Sequence, residues 1–334
     1  MAAVINAVLV GVGHMGRLTA RYLLEKGINV VGVVSRTSSQ GEDIGTLVGL
    51  KTPIGVTVSN DLEAILANGN ADIVLVTTSS DLKSLLPIAE RALSCGVNVA
   101  TISEEAFFPG TAGEIGKRLD EVARANGVTL VATGVQDIFW LNLPAMVTGA
   151  MHRIEEIHCW SNVNLDIYGP ALISQYPVGL TPEEYARQEA EGEPRSLIPF
   201  SGIALEGLTA KLGWTPTGRS VRHEPIYAEC AITSESLGRA ISPGHTVGVT
   251  EIYEIETREG IKLRMEFVEK VNGPEETEKI AWTFKGEPEL GVVADRFPGM
   301  EVTCATLVNR IPAILAAPAG YISAGSLAEA VIMG

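Results

Sequence analysis

The sequence is short of several things, and each shortage closes a class of function. Its four cysteines, Cys95, Cys159, Cys230 and Cys304, stand far apart with no CxxC spacing. That excludes zinc ribbons and thioredoxin-like redox motifs and is consistent with a reduced, cytoplasmic protein. The five histidines are scattered without HExxH or i,i+4 pairing, so no metal site is expected. There is no GxSxG nucleophile elbow. Positive charge is scarce: 25 Lys and Arg against 40 Asp and Glu give a net charge of −15, which argues against nucleic acid or an anionic membrane surface as a partner. No uncharged apolar stretch is long enough to span a bilayer. Nor is a basic segment followed by an apolar signal core evident near the N-terminus. No repeat or low-complexity tract appears.

What is present begins with Gly11-Val-Gly-His-Met-Gly16. It follows an apolar run, Val4 to Val10, and leads into a helical pattern from Arg17 to Lys26. Strand, glycine turn and helix are the context in which GxGxxG carries meaning. Gly11 permits the tight turn, Gly13 lets backbone approach a pyrophosphate, and Gly16 lets helix and strand pack closely. The helix N-terminus, at His14 and Met15, meets the phosphate charge.

One further absence follows. The second strand, Ile28 to Val34, ends in Ser35-Arg36-Thr37-Ser38-Ser39. An NAD enzyme usually places an acid there for the ribose 2′-hydroxyl. Ser35, Arg36 and Thr37 instead suit a 2′-phosphate, so NADP(H) is expected as the preferred cofactor, with NAD(H) as the alternative. A short strand at 56–58, a helix from Asp61 to Ala67, a buried strand from 71 to 78 and a helix from Leu82 to Ser94 continue the alternation. Ligands sit beyond the carboxyl ends of such strands. Thr77, Thr78 and Ser79 are therefore expected along the cofactor, unless their hydroxyls serve to cap the next helix.

The strand from Gly96 to Ile102 ends in Ser103-Glu104-Glu105, followed by Ala-Phe-Phe-Pro109. A carboxylate against aromatic surface has its pKa raised by desolvation, which suits a general acid or base. The alternative is that the pair charges the first turn of a helix. After a helix from Gly113 to Asn126, the strand Gly127 to Thr133 ends in Gly134-Val-Gln136-Asp137-Ile-Phe139-Trp140. Polar and aromatic residues together there fit a substrate pocket, with core packing of Phe139 and Trp140 as the alternative.

The expected architecture is α/β. A Rossmann doubly wound parallel sheet over 1–145, rejoined by a C-terminal helix around 300–334, is combined with an α+β domain over 146–300. The second domain carries an extended mixed or antiparallel sheet that binds substrate and mediates oligomerisation. Its strands are expected at 154–164, 227–232, 246–258, 261–271 and 278–286, with a hairpin turn at Arg258-Glu-Gly260. An amphipathic helix is expected from Phe200 to Leu212, a polar segment at 179–196 and a connector at 287–298.

These residues together resemble the 2,4-diaminopentanoate dehydrogenase and native amine dehydrogenase family, whose nucleotide domain is similar to that of dihydrodipicolinate reductase. The resemblance rests on GVGHMG, on Ser103-Glu-Glu followed by Pro109, on Gly134-Val, and on Thr306-Leu-Val-Asn-Arg-Ile-Pro312 with Ala317-Pro-Ala-Gly320. It implies reversible NAD(P)-dependent oxidative deamination of an amine to a ketone and ammonia. It also implies a cytoplasmic homodimer and one catalytic glutamate, Glu105 ahead of Glu104. Where the family commonly has Asn-Pro-Gly-Phe, this chain has Gln136-Asp-Ile-Phe139. The substrate contacts expected are Gln136, Asp137, Phe139, Trp140 and Tyr168. Asp137 is open to two roles, contact with the second amino group of a diamine or a structural cap. Two other functions stay open: an imine or carbonyl reductase of dihydrodipicolinate reductase type, and a non-catalytic NADPH-binding sensor. The chain has no counterpart of that reductase's paired-histidine and lysine segment, and Ser-Glu-Glu stands where a sugar oxidoreductase has Glu-Lys-Pro.

Overall fold

The computed structural model describes residues 4–192 and 199–333. The end of the polar segment expected at 179–196 lies outside the described residues. Chain contacts divide the molecule into two compact units, 1–141 with 300–334, and 142–299.

The first unit is a seven-stranded, wholly parallel sheet. Its strands are β1 (Asn6–Val10), β2 (Asn29–Val34), β3 (Val58–Ser59), β4 (Ile73–Val76), β5 (Asn98–Thr101) and β6 (Thr129–Ala132), in the order 3-2-1-4-5-6. A short strand from near the C-terminus, Gly320–Tyr321, extends the β6 edge. The central strands are buried on both faces, which explains their continuous runs of Val, Ile and Leu. Alternate residues point to opposite helical layers. Val8, Val10, Val74, Val76, Val99 and Leu130 join a core with α3 (Leu62–Ala67), α4 (Leu82–Ser94) and α5 (Gly113–Ala125). On the other side lie α1 (His14–Glu25) and the small α2 (Ile44–Leu47), and later α10 (Gly299–Asn309) and α11 (Ile311–Leu315). The helices α4 and α5 are each followed by a glycine at positive φ, Gly96 at 72° and Gly127 at 68°, and α4 starts on an Asp81 cap whose carboxylate accepts from Ser84 N at 2.7 Å.

The second unit carries a six-stranded mixed sheet. Its strands are β7 (Arg153–Asn164), β8 (Pro216–Tyr227), β11 (Thr246–Thr257), β12 (Lys262–Lys270), β13 (Lys279–Glu287) and β14 (Leu290–Ala294). The order is 14-13-7-12-11-8, antiparallel except where β7 and β12 pair. β9 (Ile232–Ser234) and β10 (Arg239–Ile241) make a separate two-stranded ribbon. The helices are α6 (Leu143–Thr148), α7 (Pro170–Ile173), α8 (Pro182–Glu191) and α9 (Phe200–Lys211), and the last strand of the chain is β15 (Gly320–Tyr321).

Three expectations need correction here. The strand expected at 227–232 lies earlier, as β8. The segment expected as a connector at 287–298 contains β14. Both are edge strands: β8 is exposed along most of its length, and β14 is a short Leu-Gly-Val-Val-Ala run, so neither shows in sequence the apolar and polar alternation by which a half-buried strand is recognised. Pro225 is tolerated in β8 because an edge strand has one unpaired side. The helix α9 is not amphipathic: every residue from Ser201 to Thr209 is buried. Its polar side chains are satisfied internally. Ser201 Oγ donates to Glu251, Glu206 accepts from Arg219 Nη2 at 3.0 Å and from Tyr253 Oη at 3.0 Å, and Thr209 Oγ1 donates to Leu205 O at 2.7 Å.

Candidate cofactor and active site

The chain between β1 and β4 splays to opposite sides of the sheet, so the carboxyl ends of these neighbouring strands form the topological switch point. Gly11 turns the chain there with φ 111°, a region that excludes ordinary side chains. Its N–H donates to Val34 O at 2.8 Å, and a Cβ on it would lie 2.7 Å from Thr77 Oγ1. Gly16 is packed against Gly11, whose carbonyl oxygen would lie 2.1 Å from a Cβ at Gly16. These two glycines are required by the protein itself.

Gly13 is different. Its φ of −68° is open to any residue, and a Cβ there would meet nothing within 4 Å. It is the N-cap of α1, yet no side chain caps that helix and no acid stands in its first turn. The first-turn N–H groups of α1 therefore face outward beside an open surface, the arrangement that receives a phosphate. These features fit a dinucleotide. His14 is exposed beside this turn, and Met15 is half-buried with its carbonyl accepting from Cys304 Sγ at 3.4 Å.

After β2, Ser35 is buried while Arg36 and Thr37 are exposed. Ser35 Oγ lies 2.9 Å from Ser38 Oγ and accepts from Ser38 N at 3.3 Å, and Gln40 Nε2 donates to Ser35 O. The loop is thus held as a compact turn with its guanidinium and hydroxyls outward. After β4, Thr77 is half-buried and donates to Val10 O at 3.2 Å, and Thr78 is exposed. The hydroxyls of Thr77 to Ser79 do not cap α4, since Asp81 occupies that role.

The glutamate pair lies on a 3-10 turn, Glu104–Ala106, held from several directions. Ser103 Oγ donates to Ser79 O at 2.6 Å, and Glu105 N donates to Ser80 O at 3.0 Å. From the C-terminal strand, Tyr321 Oη donates to Ala106 O, and burial pushes the Tyr321 hydroxyl well above its ordinary pKa. The two carboxylates are used differently. Glu105 Oε2 accepts the Leu82 N–H at 2.8 Å, closing the N-terminus of α4. Glu104 has its carboxyl raised above the usual glutamate range, by burial first, against the pull of the Ser80 hydroxyl, and with the negative charge of Glu105 adding to it.

After β6 the chain forms a π-helical turn, Gln136–Asn142. Asp137 is fully buried. Its Oδ2 accepts from Arg310 Nε at 2.7 Å and from Thr133 Oγ1 at 2.7 Å, and its Oδ1 accepts from Arg310 Nη2 at 2.6 Å. Arg310, at the end of α10, is 1% exposed and also donates to Ala328 O. This places Asp137 in an internal bidentate pair with almost no exposure. Gln136 and Trp140 are also buried, and Phe139 is half-buried. Tyr168 is half-buried in the second unit, where a Cβ on Gly299 would lie 2.8 Å from its hydroxyl.

The first unit therefore brings together the glycine turn, the β2 loop, Thr77 to Ser79, the glutamate turn and the Gln136 turn along one edge of one sheet. Arg310 and Tyr321 were missed by sequence reasoning, although both fall in or beside the closing segment 306–320. Nothing local marks them, because their partners are 173 and 215 residues away in sequence. Among the described residues, no group of three or more His, Cys, Asp or Glu side chains is arranged to hold a metal ion. No helix among them is long and apolar enough to cross a membrane.

Fold and site define the class: a nicotinamide-dependent oxidoreductase with a Rossmann unit. Comparison with known proteins carries this further. The model of the 2,4-diaminopentanoate dehydrogenase C-terminal domain matches residues 140–333, and a shikimate/quinate 5-dehydrogenase model matches residues 2–90. The chain is 26% identical to 2,4-diaminopentanoate dehydrogenase of Acetoanaerobium sticklandii, over 95% of this chain and 91% of that one. It is 35% identical to the solved amine dehydrogenase of Mycobacterium smegmatis, with a TM-score of 0.91 over 99% of this chain and 98% of the other. The likeness to a dihydrodipicolinate reductase from Paenisporosarcina, 10% identical with a TM-score of 0.55 over 96% of this chain and 98% of that one, is one of fold alone. This chain belongs to the 2,4-diaminopentanoate dehydrogenase family.

Proposed function

We propose that the protein is an NAD(P)-dependent amine dehydrogenase, oxidising an amine or diamine to a ketone with release of ammonia and running in reverse as reductive amination. The observation that carries this is the near full-length match to an amine dehydrogenase structure, at 35% identity. The bound nicotinamide supplies two-electron exchange with the substrate carbon. The glycine turn, the α1 N-terminus and Thr77 to Ser79 hold the cofactor in this reading. The preferred form is NADP(H), which is supported by Arg36 and the hydroxyls of the β2 loop, and by the absence of an acid there.

Within the glutamate pair, Glu104 is assigned the proton transfer. It takes a proton from attacking ammonia and returns one to the departing hydroxyl of the carbinolamine. The upward direction of its pKa supports this, because a carboxyl that holds its proton more tightly is the one of the pair that keeps a proton to donate. Glu105 is assigned a positioning role, supported by the carboxylate oxygen it gives to Leu82 N–H. That reverses the order expected from sequence. Gln136, Phe139, Trp140 and Tyr168 are retained as substrate-side residues. A cytoplasmic homodimer belongs to the same reading, which four free cysteines support as regards compartment; light scattering of the purified chain tests the dimer.

The test is a screen of NADP+ reduction across diamines, simple amines and amino acids, paired with NADPH oxidation across ketones with and without ammonia. Reduced cofactor is expected with at least one amine, and NADPH oxidation only when ammonia is present. Ketone reduction that needs no ammonia, or imine reduction alone, returns the reductase alternative. Binding of NADPH without turnover on any of these returns the sensor.

A further inference from the structure

Arg17 is a cation in an unfavourable place. It stands in the first turn of α1, where the helix dipole presents positive charge and disfavours a basic side chain. No acid shares that turn. Four residues on, Arg21 faces Glu25 at 3.8 Å, whereas Arg17 has no carboxylate partner among the described residues. What holds it is neutral. Its Nε donates to Val12 O at 3.0 Å, and its Nη2 donates to Ser39 Oγ at 3.2 Å. The guanidinium thus bridges the glycine turn after β1 and the loop after β2.

The receiving residue is also unusual. Ser39 adopts φ 58°, a left-handed conformation uncommon for a residue other than glycine. An outlier of this kind is retained where surrounding structure over-determines it, and such outliers cluster at ligand sites. Here the hydrogen bonds of Ser35 with Ser38 and Gln40 close the loop, and the Ser39 hydroxyl meets Arg17. Arg17 is exposed. A guanidinium has five N–H donors, and two hydrogen bonds engage it among the described residues, which leaves donors for a ligand. The same loop carries Arg36, whose side chain is exposed as well.

We infer that Arg17 is a second cationic ligand of the adenosine 2′-phosphate, acting with Arg36 and the loop hydroxyls, and so a residue that sets NADP(H) over NAD(H). The inference rests on the NADP(H) reading above and adds to it a residue outside the β2 loop. A guanidinium suits the role because its planar fork matches phosphate oxygens. A dianion placed there neutralises the charge that the helix dipole opposes. An ordinary surface arginine explains neither the bridge to Ser39 nor the strained serine.

The experiment is calorimetric binding of 2′,5′-ADP and 5′-AMP to the full chain, wild type against Arg17→Ala, Arg17→Lys and Arg36→Ala. Wild type is expected to prefer 2′,5′-ADP by about tenfold or more, the scale of a charge-assisted contact. Arg17→Ala is expected to lower 2′,5′-ADP affinity about tenfold while leaving 5′-AMP and NADH within about twofold. Arg17→Lys is expected to recover only part of the loss, since it keeps charge without the fork. The far-UV spectrum and thermal midpoint should stay close to wild type, because the side chain is exposed. Equal loss for 2′,5′-ADP and 5′-AMP overturns the inference in favour of a general phosphate role. Unchanged 2′,5′-ADP binding also overturns it. If wild type itself fails to discriminate the two nucleotides, the NADP(H) reading falls and takes the inference with it. Discrimination that survives Arg17→Ala but not Arg36→Ala removes the inference alone.

Discussion

Two regions of the same sheet edge treat charge in opposite ways. At the glycine turn and the β2 loop, Arg17 and Arg36 are exposed and have no carboxylate partner among the described residues, and the α1 N-terminus has no cap. At the Gln136 turn charge is drawn inside, and at the Glu104 turn it is half-buried among partners from the chain itself. Asp137 and Arg310 are matched bidentately with almost no exposure, Glu105 is held by a backbone N–H, and Glu104 is raised by burial. An ordering principle follows. Where the ligand brings its own charge, the protein leaves complementary groups open. At the glutamate and Gln136 turns, the protein supplies the partners of its own charges.

The largest test of that contrast is Glu104→Gln. Turnover is expected to fall by about 10²–10⁴-fold, the scale of lost general acid–base catalysis, with NADPH affinity nearly unchanged. Glu105→Gln should cost less turnover, and steady-state kinetics of the two variants rank the pair. If Glu105→Gln is the more damaging, the assignment within the pair is wrong. The same Glu104 variant gives a pH signature. A carboxyl whose folded-state pKa is raised favours the folded state while protonated. That contribution is complete below the unfolded value of 4.5 and is lost as pH rises through the raised folded value. Across that window the thermal midpoint of wild type should drop relative to Glu104→Gln, and parallel curves refute the shift.

Next in size is Arg310→Ala. Removing one partner of a buried ion pair leaves an uncompensated charge, and a loss of about 3–5 kcal/mol in urea unfolding is expected. A loss under about 1 kcal/mol, the scale of an exposed pair, contradicts the internal role. Because the carbonyl of Ala328 also accepts from Arg310, earlier proteolysis of the tail should accompany it.

The smallest effect on the fold, and the sharpest on the contrast, is Gly13→Ala. Its backbone and surroundings accept a methyl group. Stability should change by less than about 0.5 kcal/mol, as at an ordinary surface position. Binding of NADPH and NADH should weaken together, because a Cβ there blocks approach of the pyrophosphate. Unchanged binding of both would sink the reading of the open turn. The companion change Gly16→Ala should destabilise strongly, since Gly11 O stands 2.1 Å from where its Cβ would go.

Much of this was legible in the order of residues. The strands β1, β2, β4, β5 and β6 are short apolar runs because parallel strands are buried on both faces, and that pattern is local. The glycine turn, the loop Ser35–Ser39 and the Ser-Glu-Glu turn were all readable because each follows such a strand. The strands β8 and β14 were not, since β8 is an edge strand rich in polar side chains and β14 is a run of only five residues with no polar alternation in its sequence. The burial of α9 on every side was not legible either, because its Ser201, Glu206 and Thr209 look like a solvent face until their partners are known.

By itself, then, the sequence determined the class of sheet, the place of the dinucleotide turn and which strand ends carry carboxylates, since each depends on neighbours a few residues apart. Only the tertiary structure decided how each charge is used. It joined Asp137 to Arg310, Tyr321 to the glutamate turn and Arg17 to Ser39. It also gave the two half-buried glutamates different neighbours, with Glu105 accepting from the N-terminus of α4 and the Glu104 carboxyl raised by desolvation. The physical reason is that a side chain's charge state and reach are set by desolvation and by partners brought near in space, and neither is encoded in the spacing of the residues themselves.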